Sequence, residues 1–291
     1  MSPPAQQVYL NGDWLPLAEA KVSVLDRGFV FGDGIYEVVP VYGGHPFRLD
    51  EHLDRLDRSL DAVHLPNPLS RSQWWQMVQQ LVERHGGGDQ SLYLQLTRGV
   101  APRDHAFPPP GTAPTVFAMS SPLPPPPEAL RRDGIRAITA EDIRWSHCHI
   151  KATALLANIL LRQQAVERGA QEAILIRDGE VTEGAASNLF VVTNGTLRTP
   201  PKSDHLLAGI TRDLVVELAR DHGIGCREER IGGDELASAD EIWVTSSTKE
   251  VVAVTLLDQR PVGDGRPGPL WAQMHAHYQA FKERARQGAA R

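Results

Sequence analysis

Lys151 is the residue of the sequence best suited to covalent chemistry. It follows Ile150 and precedes the apolar run Ala152-Thr153-Ala154-Leu155-Leu156. A lysine in apolar surroundings becomes nucleophilic toward carbonyl carbon atoms, as Schiff-base chemistry requires. Taken alone, the position is more typical of a lysine that extends its amine to solvent.

Two further features could bind the polar groups of a ligand. Glu183 ends a turn in Thr182-Glu183-Gly184 and precedes small residues, among which a flat ring could approach its carboxylate. Gly209-Ile210-Thr211 opens a predicted helix, and the free N–H groups and positive dipole of a helix start attract anions. Singly, these features are also typical of a solvated turn acid and of a threonine near a helix cap.

Hydroxyl and cationic side chains complete the set. Ser246 and Ser247 follow a predicted strand, and Arg55 lies on a predicted helix. Arg103 and His105 belong to a long irregular loop, where both could converge on a carboxylate. A lysine for an aldehyde, a carboxylate for a pyridinium nitrogen, and a helix start with hydroxyls and an arginine for a phosphate together predict pyridoxal 5'-phosphate as cofactor.

The elements that position these residues mix strands and helices. Residues 35–42 predict a strand in which Pro40 must face an edge or a bulge, because proline cannot donate to a ladder. Helical periodicity covers residues 70–84 and 152–168, and Gly209 opens a helix that runs to His222. Hairpins dominate the connections, so the fold class is α+β rather than a doubly wound parallel sheet.

The length of 291 residues predicts about two domains. A run of prolines at 120–127 favours an extended interdomain linker. We therefore expect a small N-terminal domain over residues 1–119, the linker over 120–127, and a larger C-terminal cofactor-binding domain over 128–291.

Composition excludes several classes of protein. Acidic residues outnumber basic ones by 36 to 30, and the net charge of −6 argues against a general nucleic-acid binder. Two cysteines, Cys148 and Cys226, are too few for a disulfide scaffold or a thiolate zinc cluster, and no metal site is expected. The sequence shows no signal peptide and no apolar stretch of membrane-spanning length, so we expect a cytoplasmic protein that does not enter a membrane.

With these residues in this order, the sequence resembles the class IV aminotransferases, the fold-type IV enzymes of pyridoxal phosphate. The resemblance runs from Val8 to about Phe281. Its motifs lie at residues 26–28, 31–39, 51–56, 97–99, 102–107, 141–145, 181–184, 209–213 and 244–246. It implies a smaller N-terminal α/β domain and a larger C-terminal β-rich domain with helices.

The resemblance also implies roles for individual residues. Lys151 would bind the cofactor aldehyde and then move the proton at the substrate Cα. Glu183 would pair with the pyridinium nitrogen, Leu207 would pack against the ring, and Tyr36 would line the substrate side. The phosphate would be held by Arg55, Ile210, Thr211, Ser246 and Ser247.

Within the family, the loop with Arg103 and His105 is most similar to that of D-amino acid aminotransferases, where such a pair holds the substrate α-carboxylate. The implied reaction is a ping-pong transfer of the amino group from a D-amino acid, such as D-alanine, to 2-oxoglutarate or pyruvate. Branched-chain L-amino acid transaminases, R-selective amine transaminases and aminodeoxychorismate lyases share the fold and stay open as alternatives. Members of the family are usually homodimers.

Overall fold

A computed structural model describes residues 6–289, and the chain divides into two compact units. The first unit comprises the described residues up to Pro124, the segment Ile150–Ala154, and the residues from Arg284 onward. The second comprises Pro125–His149 and Leu155–Glu283. The break after Pro124 falls inside the proline run, whose role as a linker stays a prediction.

The first unit is built on a six-stranded antiparallel sheet with the order β2-β1-β6-β5-β3-β4. Its strands are β1 Gln7–Leu10, β2 Asp13–Pro16, β3 Gly34–Tyr42, β4 His45–Pro46, β5 Gln90–Thr97 and β6 Thr115–Pro122. Its helices are α1 Arg27–Phe31, α2 Leu49–Ala62 and α3 Arg71–Arg84, with a 3-10 turn at Leu17–Glu19. Leucines of α2 and aliphatic residues of β3 and β5 form one buried core, which is the main stabilising feature of this unit.

Local sequence signals explain two details of this unit. Ser70 caps α3 and forms a capping box with Gln73, which fixes the start of the helix at the predicted place. Pro40 lies in β3, and its carbonyl accepts a hydrogen bond from the N–H of Phe47 on the side of the short edge strand β4. Its missing donor therefore points toward the sheet edge, as predicted.

The second unit contains a nine-stranded mixed sheet with the order β12-β11-β10-β13-β14-β7-β8-β9, and β15 pairs with β14. Its strands are β7 Ile135–Glu141, β8 Glu172–Arg177, β9 Glu180–Gly184, β10 Asn188–Thr193, β11 Thr196–Thr199, β12 Cys226–Glu228, β13 Glu241–Ser246, β14 Glu250–Leu257 and β15 Arg260–Pro261. Its helices are α4 Glu128–Asp133, α5 Leu156–Glu167, α6 Ile210–Asp221 and α7 Pro269–Arg286, whose last residues group with the first unit, and a 3-10 helix spans Asp234–Ser238. Two buried aliphatic clusters stabilise this unit.

One predicted element is wrong at its start. The periodicity predicts a helix from Ala152, but α5 begins at Leu156. The preceding residues instead pair with β3, because Ala152 bridges Ile35 and the N–H of Thr153 donates to the carbonyl of Gly34 over 2.9 Å. Tertiary pairing therefore overrides the helical propensity of this segment and draws Lys151 into the first unit.

Two features of residues 6–289 concern membranes and metals. No helix there is both long and apolar enough to cross a membrane. Likewise, that part of the chain holds no group of three or more His, Cys, Asp and Glu side chains able to bind a metal ion.

Candidate functional site

Lys151 lies in the extended segment that pairs with β3. Its carbonyl accepts a hydrogen bond of 3.0 Å from the N–H of Tyr36, and its own N–H donates to the buried hydroxyl of Ser59 over 3.3 Å. Lys151 is half-buried, and its Nζ lies 4.1 Å from the centroid of the Tyr36 ring, a cation–π arrangement. Backbone pairing and an aromatic contact thus fix the lysine beside a residue predicted to line the substrate side.

Beside Lys151, α2 presents His52, Arg55 and Ser59 on one face at helical spacing. His52 and Arg55 both contact Glu37, which is fully buried on β3. The guanidinium of Arg55 donates to both carboxylate oxygens of Glu37 over 2.8 and 2.7 Å, and Nδ1 of His52 lies 2.7 Å from Glu37 Oε2. Arg55, a predicted phosphate ligand, is therefore held in a fixed orientation by a bidentate ion pair.

The protonation states of this group follow from its burial and its charges. Burial by itself would raise the pKa of Glu37, but the charge and hydrogen bonds of Arg55 outweigh it and hold that pKa well below its usual range. Burial lowers the pKa of His52 more than Glu37 raises it, with the charges of Arg55 and Lys151 adding to the fall. His52 is thus neutral and Glu37 ionised near pH 7.

Arg103 and His105 lie in the loop between β5 and β6. Both are exposed, and both lie against Phe31: the Arg103 guanidinium carbon is 5.1 Å and the His105 ring centroid 5.3 Å from the Phe31 ring centroid. The buried Arg27 donates to the carbonyls of Asp104 and Ala106 over 2.6 and 3.2 Å. These bonds hold the loop, so that the Arg103 guanidinium and the His105 ring are presented to solvent in a defined place.

Glu183 lies in β9 of the second unit, where it is 4% exposed. Its Oε1 accepts a short hydrogen bond from Nη1 of Arg144, and its Oε2 accepts from Asn188 Nδ2 over 3.0 Å and from the N–H of Leu207 over 3.1 Å. Arg144 also donates to both oxygens of Asp142, each over 2.9 Å. The predicted carboxylate is therefore a buried group with several donors, and not a solvated turn acid.

The pKa of Glu183 reflects this environment. Burial raises it to about 7, although Arg144 and the N–H of Leu207 oppose the rise and the charge of Asp142 adds to it. A carboxyl group that titrates near neutral pH in a buried site is typical of functional sites. A positive charge brought close to Glu183 would favour its ionised form.

Asn188 connects Glu183 with the remaining predicted residues of this unit. Besides Glu183, its Nδ2 bonds the carbonyl of Leu207 over 2.7 Å, and its backbone pairs in register with Thr245 of β13. A Cβ on Gly209 would come within 1.9 Å of Asn188 Oδ1, so any other residue at that position would force Asn188 to shift. Asn188 thus brings together Glu183, the start of α6 and the end of β13.

The start of α6 and the end of β13 carry the predicted anion-binding groups. Gly209 is the N-cap of α6, no side chain caps this helix start, and Ile210 and Thr211 form its buried first turn. Ser246 and Ser247 are half-buried at the end of β13, and Ser246 Oγ accepts from the N–H of Lys249 over 3.3 Å. The neighbouring hydroxyl of Thr245 is buried without a hydrogen-bond partner in the structure.

The predicted residues thus form two groups, one in each unit. The first unit holds Lys151, Tyr36 and Arg55, with Arg103 and His105 at Phe31. The second holds Glu183, Leu207, Ile210, Thr211, Ser246 and Ser247. Sequence reasoning missed the partners of these residues, namely Glu37, His52, Asp142, Arg144, Asn188 and Arg27. Several lie within the motifs at 31–39, 51–56 and 141–145, which were the available signal.

Comparison with known proteins identifies the family. The model of the family "Amino-transferase class IV" matches residues 34–257. D-alanine aminotransferase of Bacillus licheniformis is 42% identical over 264 residues, which cover 91% of this chain and 93% of that protein. D-alanine aminotransferase of Staphylococcus aureus strain COL is 39% identical over 278 residues, 96% of this chain and 98% of that protein.

Solved structures agree with the sequence comparisons. The branched-chain amino acid aminotransferase of Escherichia coli superposes with a TM-score of 0.91 at 26% identity, over 99% of this chain and 96% of that one. The branched-chain enzyme of Thermoproteus uzoniensis, solved with norvaline, gives 0.87 at 28% identity over 98% and 97%. The predicted α+β class and family resemblance are confirmed: this chain belongs to the class IV aminotransferases.

Proposed function

We propose that the protein is a pyridoxal-phosphate-dependent aminotransferase that moves the amino group of a D-amino acid, such as D-alanine, to a 2-oxo acid. The observation that carries this proposal is the identity of 42% to a D-alanine aminotransferase over 91% of the chain. The two branched-chain enzymes that share the fold are only 26% and 28% identical. The substrates are accordingly small amino and oxo acids.

The described residues fit the cofactor. Glu183 is a buried acid with a pKa near 7, suited to a cationic ring nitrogen. The uncapped start of α6, the half-buried hydroxyls of Ser246 and Ser247, and the unpartnered hydroxyl of Thr245 suit an anionic group. When bound, pyridoxal phosphate supplies an aldehyde that takes up an amino group and a ring that withdraws electrons from the substrate Cα.

The residues of the chain would then act as follows. The amine of Lys151 would accept the proton that leaves the substrate Cα and hold it for return. The carboxylate of Glu183, oriented by Arg144 and Asn188, would hold a proton at the ring nitrogen. Leu207 would pack against the ring.

The phosphate would be bound by groups that the fold already orients. Arg55, fixed by Glu37, supplies a guanidinium, and the first-turn N–H groups of Ile210 and Thr211 supply backbone donors. Ser246 and Ser247 supply hydroxyls. Because Arg55 is held before any ligand binds, little side-chain entropy is lost when it contacts the anion.

For the substrate, we assign the α-carboxylate to Arg103 and His105 and the side chain to the surface lined by Tyr36. Exposed donors on a loop held by Arg27 suit a small anionic group that must enter and leave in each turnover. A carboxylate held at one place relative to Lys151 restricts proton transfer to one face of the substrate, which determines stereochemistry.

The decisive experiment follows both half-reactions spectroscopically with the loaded enzyme. D-alanine with 2-oxoglutarate should yield pyruvate, and L-leucine and an R-amine without a carboxylate should react at least about a hundredfold more slowly. Faster turnover of L-leucine or of the amine would favour the alternative transaminases. Release of pyruvate from aminodeoxychorismate without any oxo-acid acceptor would favour the lyase.

We also propose a homodimer. Large apolar side chains are exposed in each unit, including Val24 at 71%, Phe29 at 72% and Phe107 at 58% in the first, and Leu156 at 70% and Ile159 at 61% in the second. Leu156 and Ile159 lie three residues apart on α5 and so share one face of the helix, and contiguous exposed apolar surface is typical of an interface with another protein. Light scattering coupled to gel filtration should give twice the chain mass. The cytoplasmic location stays a prediction.

A further inference from the structure

Glu250 has a backbone conformation that glutamate rarely adopts. It pairs in register with Ser246 at the hairpin between β13 and β14, and its φ of +63° is in the left-handed region. Glycine is the usual residue where a hairpin turn requires a positive φ, because it has no Cβ. A side chain there costs about 1 kcal/mol or more, so the glutamate is retained despite a backbone penalty.

The side chain of Glu250 is buried and bound to α7. Its Oε1 accepts from Lys282 Nζ over 2.5 Å and its Oε2 from Gln279 Nε2 over 2.6 Å. Gln279 and Lys282 are three residues apart on α7, so they form one polar patch on the helix. A buried ion pair is weak evidence for stability, and backbone strain clusters at functional sites. The positive φ of Glu250 and its buried bonds to α7 together indicate that the contact between Glu250 and α7 serves to position the hairpin.

The hairpin carries the two hydroxyls assigned to the cofactor phosphate. Ser246 lies directly opposite Glu250, and Ser247 begins the loop between them. The bond from the N–H of Lys249 to Ser246 Oγ closes the loop. The orientation of both hydroxyls therefore depends on where Glu250 is held.

We infer that Glu250 is a positioning residue for cofactor binding: by tying the hairpin at Ser246 and Ser247 to Gln279 and Lys282 of α7, it holds those hydroxyls in the geometry that binds the phosphate. This inference rests on the proposed function. It predicts that loss of the tie weakens recognition of the phosphate and leaves recognition of the rest of the cofactor unchanged.

The test compares the affinity of the apoprotein for pyridoxal phosphate with its affinity for pyridoxal, which lacks the phosphate. Glu250→Gly removes the tie while accepting the positive φ, so the hairpin can still form. We expect about tenfold weaker binding of pyridoxal phosphate, the value of one well-oriented hydrogen bond to a charged group, and unchanged binding of pyridoxal. Glu250→Gln keeps the shape and one acceptor oxygen but loses the charge that pairs with the buried Lys282, so it should recover only part of the loss.

Two further variants sharpen the result. Gln279→Leu removes one of the two bonds and should give a smaller loss of the same kind. Glu241→Gln is the matched control, because Glu241 is a buried acid at the other end of β13 that accepts from the N–H groups of Leu270 and Trp271 at the start of α7. It disturbs the same strand and helix, but should weaken both ligands equally or not at all.

The outcomes separate the inference from the proposed function. If wild-type apoprotein does not prefer pyridoxal phosphate to pyridoxal, the assigned phosphate site is wrong and the inference falls with it. If wild type shows the preference and Glu250→Gly keeps it, the inference alone is wrong. An equal loss for both ligands in Glu250→Gly would also overturn it, because that result indicates a general loss of structure.

Discussion

The buried acid Glu183 makes a prediction about stability that needs no substrate. Its pKa in the folded apoprotein is raised from the ordinary 4.5 to about 7, chiefly by burial. Between these pH values the unfolded chain has released the proton that the folded chain keeps. The contribution of this group to stability is therefore fully present below about pH 4.5 and is lost as the pH rises to 7.

The size of this loss follows from the same two values. The difference between 4.5 and about 7 corresponds to ~3 kcal/mol. Glu183→Gln cannot titrate, so the difference in free energy of unfolding between wild type and this variant should fall by about that amount across the window. His52, whose pKa is lowered, changes stability in the opposite direction over part of the same range, but it is present in both proteins and cancels.

Urea denaturation of the apoprotein at intervals from pH 4.5 to pH 7.5 measures this difference. Glu180→Gln is the matched control, because Glu180 lies on the same strand but is only half-buried and pairs with the exposed Arg230. Pyridoxal phosphate should abolish the slope, since a cation beside Glu183 favours the ionised carboxylate. Identical pH dependence in wild type and Glu183→Gln would refute the idea that a buried, titrating acid lies at this position.

Three other predictions concern the remaining assigned residues. Arg103→Ala should reduce kcat/KM for D-alanine about a hundredfold and leave amines without a carboxylate nearly unaffected, and an equal loss for both would remove the loop from the carboxylate site. Glu37→Gln should destabilise the protein by ~3–5 kcal/mol in thermal or urea denaturation because it leaves Arg55 buried without its counter-charge, and Glu37→Gln with Arg55→Met should be milder than Glu37→Gln alone. Gly209→Ala should weaken pyridoxal phosphate binding because its Cβ would lie 1.9 Å from Asn188 Oδ1, and the loss in the double variant with Asn188→Ala should be smaller than the sum of the two single losses; an additive effect of the two changes would contradict this steric explanation.

Sequence reasoning located the elements whose signals are local. Gly209 as the start of α6 and Ser70 as the cap of α3 were predictable because a cap depends on residues within one turn of the helix. The start of α5 was not, because Ile35 on a distant strand competes for the backbone at Ala152. Helical periodicity carries no information about such a partner.

In the candidate site, too, features that depend on local sequence were predictable and features that depend on distant contacts were not. The types of Lys151 and Glu183 were enough to suggest an aldehyde and a ring nitrogen as their partners. Their surroundings were not readable, because Arg144 is 39 residues from Glu183 along the chain and comes close only through the pairing of β7, β8 and β9. Which acid has a raised pKa and which a lowered one depends on those neighbours and on burial, neither of which a single sequence shows.

Glu37 and Glu183 show how such neighbours shift the pKa values of two similar buried glutamates in opposite directions. Both are buried glutamates bound to a buried arginine, yet the pKa of Glu37 is held down and that of Glu183 is raised to about 7. Arg55 donates to both oxygens of Glu37, whereas Arg144 is divided between Glu183 and Asp142, and Arg177 adds its charge on the Asp142 side, 3.3 Å away. Glu183 therefore lacks part of the positive charge that would stabilise its ionised form, and the protonated ring nitrogen of the proposed cofactor would supply it. Glu37 already has a full counter-charge, so its role is to fix Arg55.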